Sequence, residues 1–155
     1  MENLTHVWRP RREIRALALG LPFRKGKLLV SAVTEDNGDI KGWRPLGGGV
    51  EFGEAAEVAV LRELREELKA TAQILCRLGI FENIYTHQGE TGHEVVFAFE
   101  VHLTDPGIAE AERFVVEDGP FRDLAAWVPV AEFLAGNKML LPDGLLPLVP
   151  ADRSA

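Results

Sequence analysis

The chain is almost free of cysteine: Cys76 is the one cysteine among its 155 residues. A single cysteine cannot form an intrachain disulfide, and it cannot supply the several thiolates of a multi-cysteine zinc site. Cys76 lies in an apolar stretch, so we expect a buried thiol that has no chemical role.

Long apolar runs and excess positive charge are also missing. No apolar run approaches the roughly 20 residues of a membrane span. Glu13 and Arg15 interrupt any secretory pattern near the N-terminus, which predicts a cytoplasmic location. The net charge of −7 disfavours non-specific binding to nucleic acid or to an anionic membrane. An acidic protein can still bind an anionic substrate when metal cations bridge the two.

What the sequence does contain predicts one domain of mixed α/β structure. The length and the 46% apolar content are sufficient for a sizeable core, with residues 1–13 and 143–155 as loosely held termini. Residues 104–120 are acidic and punctuated by proline and glycine, so we expect a loop with some local structure. Apolar periodicity predicts strands at 14–21, 27–34, 72–85, 93–103 and 125–130, and helices at 54–69 and 130–135.

The most informative segment is a glycine-rich loop followed by an acidic helix. Five of the fifteen glycines lie between residues 42 and 53, where backbone must bend tightly or approach a ligand. On the following helix, Glu63, Glu66 and Glu67 share one face. Clustered carboxylates suit Mg²⁺ or Mn²⁺ better than zinc. A solvated, salt-bridged helix face is the alternative, but the glycine loop and Glu54 at the helix start favour a metal and phosphate site.

Residues 48–70 resemble the Nudix box, G-x5-E-x7-R-E-U-x-E-E-x-G-U, in which U is a bulky aliphatic residue. The matching positions are Gly48, Glu54, Arg62, Glu63, Leu64, Glu66 and Glu67. Lys69 replaces the late glycine of the box and Ala70 its final aliphatic residue. In the preceding loop, Pro45 and Leu46 are exchanged relative to the usual order. These departures affect the expected loop conformation and remove no carboxylate.

The resemblance implies a Nudix-type α/β/α sandwich with a mixed parallel and antiparallel sheet. It implies hydrolysis of a nucleoside diphosphate linked to another group, with Mg²⁺ or Mn²⁺ as the cofactor and with homodimers common among relatives. The implied catalytic residues are Arg62, Glu63, Glu66 and Glu67, and the implied metal ligands are the carbonyl of Gly47 and the side chains of Glu63, Glu66 and Glu67. Gly48 and Glu54 would support the loop.

The substrate and the general base stay open. A (deoxy)nucleoside triphosphate, a dinucleoside polyphosphate, a non-catalytic nucleotide-binding module and an isoprenoid diphosphate isomerase are the alternatives. Arg44 is a candidate phosphate contact, whereas Trp43 and Tyr85 either stack on a base or pack in the core. His87 and His93 flank a polar turn, where exposed histidines are the usual case. Downstream candidates for the general base are Glu94, Glu110, Glu112 and Glu117.

Overall fold

Eight strands and two α-helices follow one another along residues 7–155, the part of the chain that a computed structural model describes. Residues 1–6, the start of the predicted loose N-terminus, lie outside the described residues. The strands are β1 (Ile14–Arg24), β2 (Lys27–Thr34), β3 (Ile40–Arg44), β4 (Leu46–Gly49), β5 (Thr71–His87), β6 (Glu90–Asp105), β7 (Arg113–Asp118) and β8 (Phe121–Pro129). The helices are α1 (Ala56–Leu68) and α2 (Val130–Leu134). Within residues 7–155, no helix is both long and apolar enough to cross a membrane.

The strands form one mixed sheet in the order β5-β6-β1-β2-β8-β7, with β4 paired to β1 and β3 paired to β2. β1 runs parallel to β6 and antiparallel to β2 and β4. β1 and β2 pair only next to their connecting turn, at Phe23 with Leu28 and at Arg24 with Lys27. Farther from the turn, β1 pairs with β4 and β2 pairs with β3. The two halves of the sheet therefore part at the end that carries the glycine loop.

Both faces of the sheet are covered. Helix α1 packs an apolar stripe that includes Val60 and Leu64 against one face of β1, at Ala18. Successive strand residues point to opposite faces, so Leu19 on the other side of β1 packs in a second cluster with Phe133 of α2. This arrangement and the mixed sheet confirm the predicted α/β fold class.

The segment predicted as a loop at 104–120 contains a strand, β7. Its prolines and glycines flank the strand and do not interrupt it. Residues 107–110 form a short 3-10 helix. β7 pairs with β8 along its whole length, and Val116 is 2% exposed against the core. Glu117 and Asp118 at the end of β7 are exposed, so only a short apolar stretch marks this strand in the sequence.

The C-terminal segment packs against the sheet, in contrast to the predicted loose terminus at 143–155. Leu145 is fully buried in the core. Near the chain end, Arg153 forms an ion pair with Glu100, with 2.9 Å between Nη2 and Oε2. Prolines interrupt this segment, which forms two short 3-10 turns at Leu146–Leu148 and Ala151–Ser154. The partly buried Leu146 and Val149 pack against the core.

Cys76 is exposed, which corrects the expectation of a buried thiol. It lies on β5, the edge strand of the sheet, beside Leu75, which is 54% exposed. The apolar run around Cys76 belongs to a strand that pairs on one side only, with register shifts around this position. Apolar sequence alone therefore does not place these residues in the core.

Candidate functional site

The glycine loop brings the backbone of β4 against β1 and α1. A Cβ on Gly47 would lie 2.0 Å from the carbonyl oxygen of Ala18 on β1. A Cβ on Gly48 would lie 2.4 Å from Cδ of Glu63 on α1. Neither position has room for a side chain. The Glu63 carboxyl is therefore held directly against the backbone of β4.

Arg62 joins the loop to the helix through hydrogen bonds on both sides. Its Nε and Nη2 donate to the two carboxylate oxygens of Glu54 at 2.8 and 2.9 Å. Its Nη1 donates to Oε1 of Glu63 at 2.8 Å, and its Nη2 donates to the carbonyl of Gly49 at 3.1 Å. The bonds that Glu54 accepts from Arg62 and from the backbone N–H of Glu51 lower the pKa of Glu54 to about 2. The contacts support the predicted orienting and bracing roles, which stay predictions.

Glu67 and Glu63 form a buried acidic pair. Glu67 is 8% exposed. Burial raises the pKa of Glu67 well above its usual range, the hydrogen bond to Glu63 and the charge of Asp118 raise it further, and Arg44 lowers it. Without a cation, the pair therefore retains a proton. A divalent cation would supply the positive charge that this proton provides, and carboxylate oxygens are ligands that Mg²⁺ and Mn²⁺ prefer.

The third predicted ligand, Glu66, is not part of this pair. Its side chain is 59% exposed and lies 3.4 Å from Nη1 of Arg62. Neighbouring helix positions do not face each other, so Glu66 and Glu67 diverge. Across residues 7–155, no group of three or more histidine, cysteine, aspartate or glutamate side chains converges in a way that could hold a metal ion. The structure thus assembles two of the three predicted carboxylates.

A cleft of about 470 Å³ opens beside the acidic pair, at the place where the two halves of the sheet part. One part is lined by residues 47–49, Glu63, Arg44 and Asp118. Other lining residues are Arg15 of β1, residues 31–34 of β2, and the N-terminal residues Trp8, Arg9 and Arg11. The cleft therefore combines carboxylates with arginines, which suits an anionic ligand bridged by a cation.

The three predicted substrate contacts have different positions. Arg44 lines the cleft. Trp43 is 6% exposed and belongs to the core, because neighbouring residues of β3 point to opposite faces. Its predicted contact with substrate is replaced by a packing role. Tyr85 is half-buried, burial raises its pKa to about 12, and its ring covers Gly92 outside the cleft lining.

His87 is buried, in contrast to the exposed turn histidine that the sequence predicts. It is 4% exposed, and its ring lies against Trp8 with 5.5 Å between the ring centroids. Trp8 lies far away in sequence, which explains why the turn pattern could not predict this contact. His93 is partly exposed and hydrogen-bonds Glu82 at 2.9 Å.

None of the four predicted general-base candidates is among the residues that line the cleft. Glu94 is buried and accepts a hydrogen bond from Asn83, whereas Glu112 pairs with Arg24 and Lys27. Glu110 and Glu117 are exposed. Asp118 does line the cleft, and sequence reasoning missed it. The available signal was the turn Asp118-Gly119-Pro120, which marks the tip of a hairpin.

Comparisons with known proteins agree with this geometry. A family model described as the NUDIX domain matches residues 13–149. The mutator protein MutT4 of Mycobacterium tuberculosis is 26% identical over 123 residues, which are 79% of this chain and 42% of that protein. This chain thus spans less than half the length of that relative.

Solved structures share the fold. A MutT NUDIX hydrolase from Burkholderia pseudomallei superimposes with a TM-score of 0.62 at 21% identity, covering 90% of this chain and 100% of that one. A NUDIX hydrolase from Nitrosomonas europaea gives a TM-score of 0.66 at 17% identity, with 88% and 86% covered. The family match and the relatives confirm the resemblance seen in the sequence. This chain belongs to the Nudix family.

Proposed function

We propose that this protein is a metal-dependent hydrolase that cleaves the pyrophosphate bond of a nucleoside diphosphate linked to another group. The observation that carries the proposal is the buried Glu63 and Glu67 pair, held against the glycine loop at the edge of an arginine-lined cleft. A buried pair of carboxylates is costly unless a cation or a proton compensates it.

Glu63, Glu66 and Glu67, with the carbonyl of Gly47, would hold Mg²⁺ or Mn²⁺. The bound ion would neutralise phosphate oxygens and lower the pKa of the attacking water. The side chain of Glu66 is exposed and would have to turn towards the other two carboxyls to bind the ion. Arg62 keeps the Glu63 carboxyl in place through its 2.8 Å hydrogen bond.

The remaining work of the protein is positioning and charge stabilisation, which dominate phosphoryl chemistry. Arg44, Arg15 and Arg11 line the cleft and would bind the phosphate oxygens that the cation does not neutralise. The network of Glu54 and Arg62 would keep the loop rigid during the reaction. Each of these groups would bind or orient the substrate or the loop, and none needs to form a covalent bond to the substrate.

The test is a substrate panel. The full chain is incubated with Mg²⁺ and ADP-ribose, dinucleoside polyphosphates, nucleotide sugars or (deoxy)nucleoside triphosphates, and the products are identified by mass spectrometry. We expect turnover that requires the metal, stops with EDTA and releases a nucleoside monophosphate. Release of pyrophosphate from a triphosphate would instead assign the triphosphate alternative. Mn²⁺ binding without turnover of any compound would show a binding module.

A further inference from the structure

The N-terminal segment before the family match contributes to the cleft. The family model begins at residue 13, yet Trp8, Arg9 and Arg11 all line the cleft together with Glu63. The match to the family therefore does not cover this wall.

Trp8 is fixed by two independent sets of contacts. The guanidinium of Arg9 donates to both carboxylate oxygens of Asp36, at 2.9 and 2.6 Å, and to the Trp8 carbonyl at 2.9 Å. The indole ring lies at 52° to the ring of His87, and Nδ1 of His87 is 3.4 Å from Nζ of Lys41. The half-buried indole is thus a rigid part of the cleft wall.

A rigid, half-buried indole in a polar cleft is suited to a flat heterocycle. Aromatic stacking gives binding energy without demanding a particular hydrogen-bond pattern. The cleft volume of about 470 Å³ is within the usual range for a small-molecule site. With the diphosphate bound at the Glu63 side of the cleft, the nucleobase of the same substrate would be free to contact another part of the cleft wall.

We infer that Trp8 is the surface on which the nucleobase of the substrate stacks, and that the Arg9–Asp36 pair positions it. The inference rests on the proposed function, since it takes a nucleoside phosphate as the ligand. It makes Trp8 a binding residue that affects substrate affinity and leaves the bond-breaking step unchanged.

Tryptophan fluorescence tests this directly, because the chain has three tryptophans and the other two, Trp43 and Trp127, are each 6% exposed in the core. AMP, GMP, CMP and UMP are titrated into the full chain in EDTA. We expect saturable quenching that Trp8→Phe abolishes. By calorimetry, Trp8→Phe should stay within about threefold of the native Kd, and Trp8→Ala should weaken it about tenfold.

Kinetics separate a stacking role from a structural one. On the best substrate, Trp8→Ala should raise KM about tenfold with kcat nearly unchanged, and Asp36→Asn should raise KM less. Arg12→Ala is the matched control, because Arg12 is exposed in the same segment. A Trp8→Phe variant with native thermal stability keeps the test valid if Trp8→Ala unfolds.

The outcomes distinguish the two proposals. Hydrolysis with native KM and Kd in Trp8→Ala would overturn the stacking inference and leave the proposed function standing. Nucleotide-dependent quenching at Trp8 without hydrolysis of any compound would support the stacking surface and overturn the proposed reaction. If the native chain neither binds nor hydrolyses any of these nucleotides, both proposals fail.

Discussion

Three consecutive glycines show how differently one residue type can be constrained. Gly47 faces the Ala18 carbonyl, which belongs to the backbone of β1 and cannot move aside. Gly48 faces the carboxyl of Glu63, and Gly49 would meet only the end of the flexible Arg15 side chain, at 3.2 Å. A methyl group at each position therefore has a different consequence.

Gly48→Ala is expected to displace the Glu63 carboxyl and lower kcat by about a hundredfold, because a displacement of about 1 Å costs that much in a positioned site. Stability should change little, since the displaced group is a side chain. Steady-state kinetics and urea denaturation measure the two effects. Gly49→Ala is the control with the smaller loss of turnover, and equal turnover in both variants would contradict the role assigned to Glu63.

Residue contacts were predictable only where they are local in sequence. The arrangement of Glu54, Arg62 and Glu63 follows from one loop and one helix, so spacing alone indicates it. Asp118 and Trp8 approach the same cleft from distant parts of the chain, and their positions depend on how the strands pair. A local turn pattern marks Asp118 as the tip of a hairpin, but no local pattern shows that Asp118 or Trp8 reaches the cleft.

At the scale of elements, helix α1 ends on a residue that is strained. Lys69 has φ 55°, in the left-handed region, and its N–H donates to the Arg65 carbonyl. The Nζ of Lys69 also donates to the Glu66 carbonyl at 3.1 Å. The Nudix box has glycine at this position, and glycine adopts this conformation without the clash between Cβ and backbone that lysine incurs.

Lys69→Gly should therefore raise the free energy of unfolding by about 0.5–1 kcal/mol, which is the strain relieved less the entropy that glycine adds to the unfolded chain. Urea denaturation measures it. Lys69→Ala is the matched variant, because it keeps the strain and loses only the exposed Nζ hydrogen bond. A Lys69→Gly variant less stable than Lys69→Ala would contradict this account of the helix end.

The order of the elements was largely predictable, and the edges of the sheet were not. Runs of apolar residues identify central strands such as β1 and β2, since both of their faces are covered. β7 and the Cys76 region of β5 lie at the two edges of the sheet. An edge strand mixes buried and exposed apolar residues with charged ones. Its sequence pattern can therefore resemble that of a loop, as in β7, or suggest burial where the residues are exposed, as at Cys76.

At the scale of the whole molecule, His87 connects the stability of the fold to pH. Burial lowers the pKa of His87 below its ordinary value, Lys41 and Arg9 lower it further, and Glu35 and Asp36 oppose them. Protonation therefore favours the unfolded chain. The contribution of neutral His87 to the free energy of unfolding is fully present above about pH 6.5, the pKa of histidine in the unfolded chain. It is lost as the pH falls from that value towards the lower pKa of His87 in the folded protein.

His87→Asn should remove this dependence, so its stability relative to the native chain should improve as the pH falls from 7.5 to 5.5. Urea denaturation at several pH values gives the comparison. His102→Asn is the matched control, since His102 is exposed and its replacement should leave the native profile unchanged. A constant difference between His87→Asn and the native chain would refute the linkage.

We propose that the Glu63 and Glu67 carboxyls, held by one loop and one helix, make the cleft of this acidic molecule a site for a cation and a diphosphate. Glu67 is the most buried member of the pair, and Glu57 is a surface residue of the same helix that pairs with Arg77 at 2.9 Å. Glutamine removes the carboxyl group at both positions, once in the proposed metal site and once on the surface of the helix.

The most direct measurement is therefore the metal-dependent kcat of Glu67→Gln and Glu57→Gln on the best substrate of the panel. We predict that Glu67→Gln loses at least roughly a hundredfold in kcat and keeps its fold, because glutamine has nearly the same size and places no charge in a buried position. Glu57→Gln should retain native turnover. Near-native turnover by a folded Glu67→Gln variant would contradict the account.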